Sequence, residues 1–226
     1  DADYSQIELR VLAHLSGDEH LIRAFNEDED VHTSTAARVF NVPLDEVDAA
    51  MRRAAKAVNF GIIYGISDFG LASNIGVSRR QAGEYINEYF QSYPRIKEFM
   101  DECVSKAREK GYAQTIMGRR RPMPELNSSN YNTRTFGERA AMNMPVQGSA
   151  ADIIKAAMIK TARALKERNL KSRLILQVHD ELIIEAPEKE AEEAGRLLRE
   201  CMENVLRLSV PLKVEVKAGK SWYETK

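Results

Sequence analysis

Among 226 residues there are two cysteines, one tryptophan and seven prolines, and no charge of one sign prevails: 33 Lys and Arg stand against 34 Asp and Glu, a net charge of −1. Two cysteines form no disulfide framework for a chain of this length. Cys103 falls in the helical apolar pattern Ile96, Phe99, Met100, Val104, Ala107, and Cys201 in Ala194, Leu197, Leu198, Met202, Val205, so both are expected as buried, reduced thiols. No apolar run approaches the roughly 20 residues of a membrane helix. The first residues also lack the basic-then-apolar order of a signal peptide. These absences predict a cytoplasmic protein without a membrane partner. The balanced charge argues against a dedicated nucleic-acid-binding domain, which is usually basic overall, so any such role must rest on local charge. Repeats and low-complexity tracts are absent as well. The chain opens without methionine, directly in patterned sequence, as the C-terminal piece of something longer would.

What is present is periodicity. Leu174 to Glu185 reads L-I-L-Q-V-H-D-E-L-I-I-E, two β-type apolar runs around His179-Asp180-Glu181, and predicts a buried hairpin with its charges at the tip. The tip suits a metal, or it is a turn whose charges merely face water; both readings are open on these residues. Near the start, Ser5-Gln6-Ile7-Glu8 has the capping-box pattern ahead of Ile7, Val11 and Leu15, so a helix is expected right after Asp3. Short helices are expected at 19–26 and 31–40, and a long one from Asp45 to about Tyr64, opened by Pro43 and stopped by Gly65. Ser78 to Gln81 is a second capping box for a helix to about Ser92, and Pro94 opens the next. A strand at 112–117 and a basic turn at 118–122 lead to a helix from about Thr133 through Leu165, kinked at Pro145. After the hairpin come the Cys201 helix and a half-exposed strand through Leu212, Val214 and Val216. This order predicts an α+β fold, an antiparallel sheet platform carrying a mostly helical subdomain inserted early in the chain.

Two constellations carry chemistry. Asp3 and Asp180 each end a strand-like element, where sheets display reactive groups, but spacing alone does not say that they meet. Two carboxylates about 4 Å apart would repel by about 1 to 4 kcal/mol, and a divalent cation between them is the natural remedy. Oxygen-only ligands suit Mg²⁺ better than Zn²⁺. The second constellation is Arg52, Lys56, Phe60 and Tyr64, four residues apart along one slowly drifting helix face. Arg and Lys one turn apart can grip consecutive phosphates, while the rings offer flat faces for a sugar or base. The same spacing also describes a solvated basic patch shading into two core aromatics.

Three stretches in order resemble the polymerase motifs of family A DNA polymerases, the bacterial DNA polymerase I type. They are Asp3-Tyr4-Ser5-Gln6-Ile7-Glu8-Leu9-Arg10; Arg52-Arg53-Ala54-Ala55-Lys56 through Asn59-Phe60-Gly61 to Tyr64-Gly65; and Gln177-Val178-His179-Asp180-Glu181. Gly118 to Arg121, the run Glu138 to Lys155 and Ser221-Trp222-Tyr223 are also similar, so the resemblance covers essentially the whole chain. It implies the polymerase right-hand fold without the thumb: palm at 1–20, fingers at 21–130, palm again at 131–226. Asp3, Asp180 and the backbone carbonyl of Tyr4 would bind two Mg²⁺ ions, with Glu181 nearby in a secondary catalytic role. Arg52 and Lys56 would hold the triphosphate, Lys56 also donating a proton to pyrophosphate. His32 would support the same phosphates, against its bland reading as a polar residue on a short helix. Gln6, Phe60 and Tyr64 would contact the incoming nucleotide. Glu8 would block a ribose 2′-hydroxyl, a role compatible with its place in the capping box.

Arg139, Asn143 and Gln147 lie four apart and read by default as a solvated polar stripe. In the family's light they look like a minor-groove rail, joined by His179, whose donors test pairing geometry without reading sequence. Arg119, Arg120 and Arg121 would add phosphate contacts, which position but do not specify. The resemblance thus implies template-directed DNA synthesis in replication and repair, in a bacterial cytoplasm or nucleoid or from a phage in its host. The partners implied are primer-template DNA, deoxynucleoside triphosphates, and an N-terminal remainder with the thumb, early palm strands and possible exonuclease domain. Two alternatives are a single-subunit RNA polymerase, which Glu8 opposes, and a non-catalytic DNA-binding or assembly fragment.

Overall fold

The computed structural model describes residues 1–225; Lys226, the last residue of the expected second palm segment, lies outside them. The chain forms two compact units, one made of Asp1–Arg10 with the chain from Ser149 onward, the other of Val11–Gly148.

The first unit is built on a sheet. β1 (Ala2–Tyr4), β4 (Arg173–Val178), β5 (Glu181–Glu185) and β6 (Val214–Val216) pair antiparallel in the order β4-β5-β1-β6. Three residues are too few to announce a strand by pattern, and β1 is one because it is flanked on both edges: Ala2 faces Leu182 of β5 and Val216 of β6. Helix α9 (Ala191–Glu203) is amphipathic, and its Leu197 and Cys201 bury against Leu165 from the later part of α8 (Tyr131–Glu167). Tyr4 is buried, and its hydroxyl donates to the carbonyl of Met202 at 2.7 Å. Burial, then the nearby Glu203, push its phenol well above the ordinary range. Arg10 is buried too, donating to the carbonyls of Ser5 and Pro211.

The expected hairpin is there, with His179 and Asp180 as a two-residue turn between Val178 and Glu181. It is not buried throughout. β5 is covered on both sides by neighbouring strands, whereas β4 is an edge strand with Ile175 and Leu176 about half exposed, at 50% and 46%. An apolar run therefore signalled a strand but not its burial.

The second unit is mostly helical. Its helices are the greater part of α1 (Ile7–Ser16), then α2 (Glu19–Asn26), α3 (Val31–Phe40), α4 (Ala49–Ile63), α5 (Asp68–Ile75), α6 (Arg79–Ser92), α7 (Pro94–Lys110) and the early part of α8. β2 (Tyr112–Gln114) and β3 (Arg120–Pro122) form a separate hairpin. Asp18, Asp30, Asp48, Ser67 and Ser78 cap their helices, Ser78 in the expected capping box with Gln81. The other expected box fails. α1 opens at Ile7 after Gln6, whose φ is 54°, so Ser5 is not its N-cap and Glu8 lies in the first turn at the second helical position. α4 also starts later than expected, because Leu44–Glu46 closes as a short 3₁₀ turn and Asp48 caps the helix proper. α8 runs through Pro145 as one helix. Cys103 and Cys201 are free and buried as expected. Burial pushes the Cys103 thiol up to about 12, which makes it inert near neutral pH.

Candidate active site

In the first unit the polar tip of the hairpin meets the start of the chain. Asp3 lies directly across from Glu181 on the neighbouring strand, and the amide of Tyr4 donates to the carbonyl of Asp180 at 3.3 Å. Ladder partners of this kind have Cα atoms about 4.5 to 5.5 Å apart, so residues from opposite ends of the sequence are neighbours within the sheet. Their surroundings differ. Asp3 is exposed and Asp180 partly so, while Glu181 is 8% exposed and accepts a hydrogen bond from the Trp222 indole at 3.2 Å. Glu181 is thereby tied into the fold. His179 holds φ at 51°, a left-handed conformation unusual for a side chain of its size but suited to a two-residue turn. Gln6 and Glu8, both partly buried, stand where β1 passes into α1.

The donors fit a hard cation. Among the described residues no three His, Cys, Asp or Glu side chains gather into a metal cage. A cation here would rest on the carboxylates of Asp3 and Asp180 with the Tyr4 carbonyl, keeping water on its remaining positions. Such a sparse, all-oxygen set suits Mg²⁺, which parts with water reluctantly.

In the second unit a cavity of about 710 Å³ opens along α4. Arg53, Lys56, Phe60 and Gly61 of the helix, Tyr64 to Ser67 after it, Gly70 and Asn74 of α5, and Arg139 of α8 line it. Lys56, Phe60, Tyr64 and Arg139 were expected at the site. Arg53, three residues before Lys56, was not named as part of it, although that spacing shares a face. Gly65 turns the chain at φ 63°, and a Cβ there would lie 2.8 Å from the Met142 methyl and 3.0 Å from Arg139 Cγ. Conformation and space both demand glycine, so α8 closes tightly on the end of α4.

Arg52 does not line this cavity. Its Nε donates to Asp30 at 2.7 Å, both side chains being about 40% exposed or more. Asp30 also caps α3, accepting from the amides of His32 and Thr33. Burial works to raise its carboxyl, but the bonds from Arg52 and Thr33 outweigh that and hold it below its ordinary value. His32 is 3% exposed, with its ring 5.8 Å from that of Phe60 and its Nδ1 3.1 Å from the Asn59 amide nitrogen. Burial brings its pKa down to about 4; Asp30 opposes this and the cations of Arg52 and Lys56 add to it.

Of the expected rail, Arg139 and Gln147 are exposed on α8. Asn143, expected as a donor to DNA, is partly buried, and with its amide oriented to suit its surroundings its nitrogen donates to the carbonyls of Ile63 and Arg139 at the end of α4. His179 is exposed at the tip in the first unit. Arg119 and Arg120 are exposed and Arg121 partly so on the β2–β3 hairpin, Arg120 lying over the Tyr112 ring at 4.5 Å.

An antiparallel sheet that brings Asp3 beside Asp180, with a long helical stretch between its first strand and the others, makes this an α+β fold. More particularly, the chain belongs to DNA polymerase family A, whose family model matches residues 1–224. It is 60% identical over its whole length to DNA polymerase I of Bacillus subtilis (strain 168), and 56% identical to that of Bacillus caldotenax, covering 26% of each. The chain thus spans about a quarter of the length of these curated relatives. A solved structure, the POL domain of Pol1 from M. smegmatis in complex with DNA primer-template and dNTP, superposes with a TM-score of 0.95 at 49% identity. That likeness covers 99% of this chain and 40% of the other. Among the described residues no helix is long and apolar enough to cross a membrane.

Proposed function

We propose that this chain is the fingers and most of the palm of a DNA-directed DNA polymerase, which transfers nucleotides from deoxynucleoside triphosphates to a primer 3′-hydroxyl. The observation that carries the reading is the pairing of β1 with β5, which makes Asp3 and the His179-Asp180 turn neighbours on one sheet. The first unit is read as palm and the helical unit as holding the fingers.

Asp3, Asp180 and the Tyr4 carbonyl would hold the two Mg²⁺ ions, which when bound lower the pKa of the primer hydroxyl and neutralise charge on the triphosphate and the departing pyrophosphate. Arg52 and Lys56 bind the triphosphate, Lys56 donating the proton that pyrophosphate takes up as it leaves. Phe60 and Tyr64 pack on the sugar and base. Glu8 lies in the first turn of α1 with Gln6 just before it, both at the nucleotide's sugar, where Glu8 excludes a 2′-hydroxyl. Arg139 and Gln147 face the minor groove with His179, and Arg119, Arg120 and Arg121 hold phosphates, which supplies locally the positive charge that the chain lacks overall.

Primer extension with Mg²⁺ tests this, with the chain alone and joined to the preceding part of the polymerase. Extension by the joined protein, abolished in Asp180→Ala, is expected. Extension that survives the substitution would sink the assignment.

A further inference from the structure

Behind the α4 face runs a chain of buried polar side chains that take no direct part in the proposed reaction. The Asn59 amide nitrogen lies 3.1 Å from His32 Nδ1 and 3.1 Å from the Thr35 hydroxyl. Thr35 in turn lies 3.2 Å from the Tyr93 hydroxyl. Asn59 and Thr35 are fully buried and Tyr93 nearly so, at 2%. Buried polar groups are costly unless each is paired, so a linked set like this has few arrangements open to it. An amide nitrogen can only donate, and Nδ1 must therefore accept, which leaves the ring proton on Nε2. Nε2 has no protein partner among the described residues, and it is not one of the side-chain atoms sealed from solvent without one. The charged groups facing the ring are Asp30, Arg52 and Lys56. Asp30 is already bonded to Arg52.

We infer that Asn59, steadied by Thr35 and Tyr93, is a positioning residue that fixes His32 in the Nε2–H form, aiming a neutral donor at the phosphates of the incoming nucleotide. The inference rests on the nucleotide reading of the α4 face. It adds the reason why His32 can serve there: a ring locked in one tautomer loses no donor to reorientation. A charged imidazolium is not needed, because Arg52 and Lys56 already supply the positive charge.

Nitrogen-15 NMR of the histidine rings in the intact chain tests the tautomer directly. Wild type is expected to show His32 with a bare Nδ1 and a protonated Nε2. Asn59→Asp, which replaces the donor by an acceptor, is expected to move a proton onto Nδ1. Thr35→Val is expected to give a mixture of tautomers, and Thr35→Ser to recover the wild-type spectrum. A protonated Nδ1 in wild type, or spectra indifferent to all three substitutions, would overturn the inference. Binding of a deoxynucleoside triphosphate separates it from the reading on which it rests. Asn59→Leu is expected to weaken binding about tenfold, the loss of one hydrogen bond to a charged group. Unchanged affinity in Asn59→Leu with a loss in Lys56→Ala would refute the role of Asn59. Unchanged affinity in both would refute the nucleotide reading itself.

Discussion

Asp3 stands on a backbone ladder with Asp180 in the turn beside it, whereas Lys56, Phe60 and His32 stand on helices braced by side chains. On the sheet, Ala2 and Asp3 are fixed by backbone pairing with β5 and β6. Along α4, placement depends on particular contacts: Gly65 against Met142, Asn143 on the carbonyls of Ile63 and Arg139, and Asn59 within its buried set. Asp3 is therefore placed by backbone pairing, while the α4 groups proposed to face phosphate rest on a supporting layer of side chains. The lesson is that loss of function and loss of stability should separate cleanly in the first region and mix in the second.

The sharpest way to break this comparison is to remove a carboxylate. Asp3→Ala or Asp180→Ala should cut primer extension by roughly a thousandfold or more, a few kcal/mol of transition-state stabilisation, with little change in the thermal unfolding midpoint. A drop in midpoint matching the loss of activity would mean that the ladder does not hold the tip unaided. Glu8→Ala should raise incorporation of ribonucleotides relative to deoxynucleotides about tenfold or more, read by competition between the two substrates. An unchanged ratio would leave Glu8 as no more than a first-turn acid on α1. Gln147→Ala should slow extension of matched primers severalfold, a hydrogen bond's worth, and of mismatched primers hardly at all. Equal losses on both would remove Gln147 from the minor groove.

The smallest effect belongs to His32. Its folded pKa of about 4 lies below the ordinary 6.5, so the unfolded chain takes up the proton more readily. The stability that His32 contributes is complete above about pH 6.5 and is lost as pH falls towards about 4. The thermal midpoint of His32→Gln should fall less steeply across that window than that of wild type. Identical slopes would show that the ring is not protected from protonation by burial.

Much of this was legible in the sequence. The two short helices, the Ser78 box, the two buried thiols and the hairpin were all readable from spacing, because each is decided by neighbours within a few residues. The failures are equally physical. Ser5-Gln6-Ile7-Glu8 has the letters of a capping box, but the chain must turn out of a strand at Gln6, and that left-handed residue displaces the helix start. Pro43 opened only a 3₁₀ turn because Asp48, a better cap, lay a few residues on. The hairpin's apolar letters did not reveal that β4 is an edge, since strand order is set by partners far away in sequence. For the site, the resemblance gave roles to the groups proposed to face substrate and none to those behind them. Asn59, Thr35 and Tyr93 come from α4, α3 and the α6–α7 junction, and no local pattern links them.

The position of β1 within its sheet has one more consequence. A chain made from its N-terminal end brings out Asp3 long before either strand that flanks it, and at about 5 to 20 residues per second the wait for β5 is on the order of 10 to 40 s. During that time the aspartate has no ladder to stand on. Any product cut short before Glu181 carries the first acidic motif without the means to place it, and a product ending between β5 and β6 leaves it on a raw edge. Incomplete copies of this chain thus carry Asp3 without the neighbouring strands on which the proposed chemistry depends.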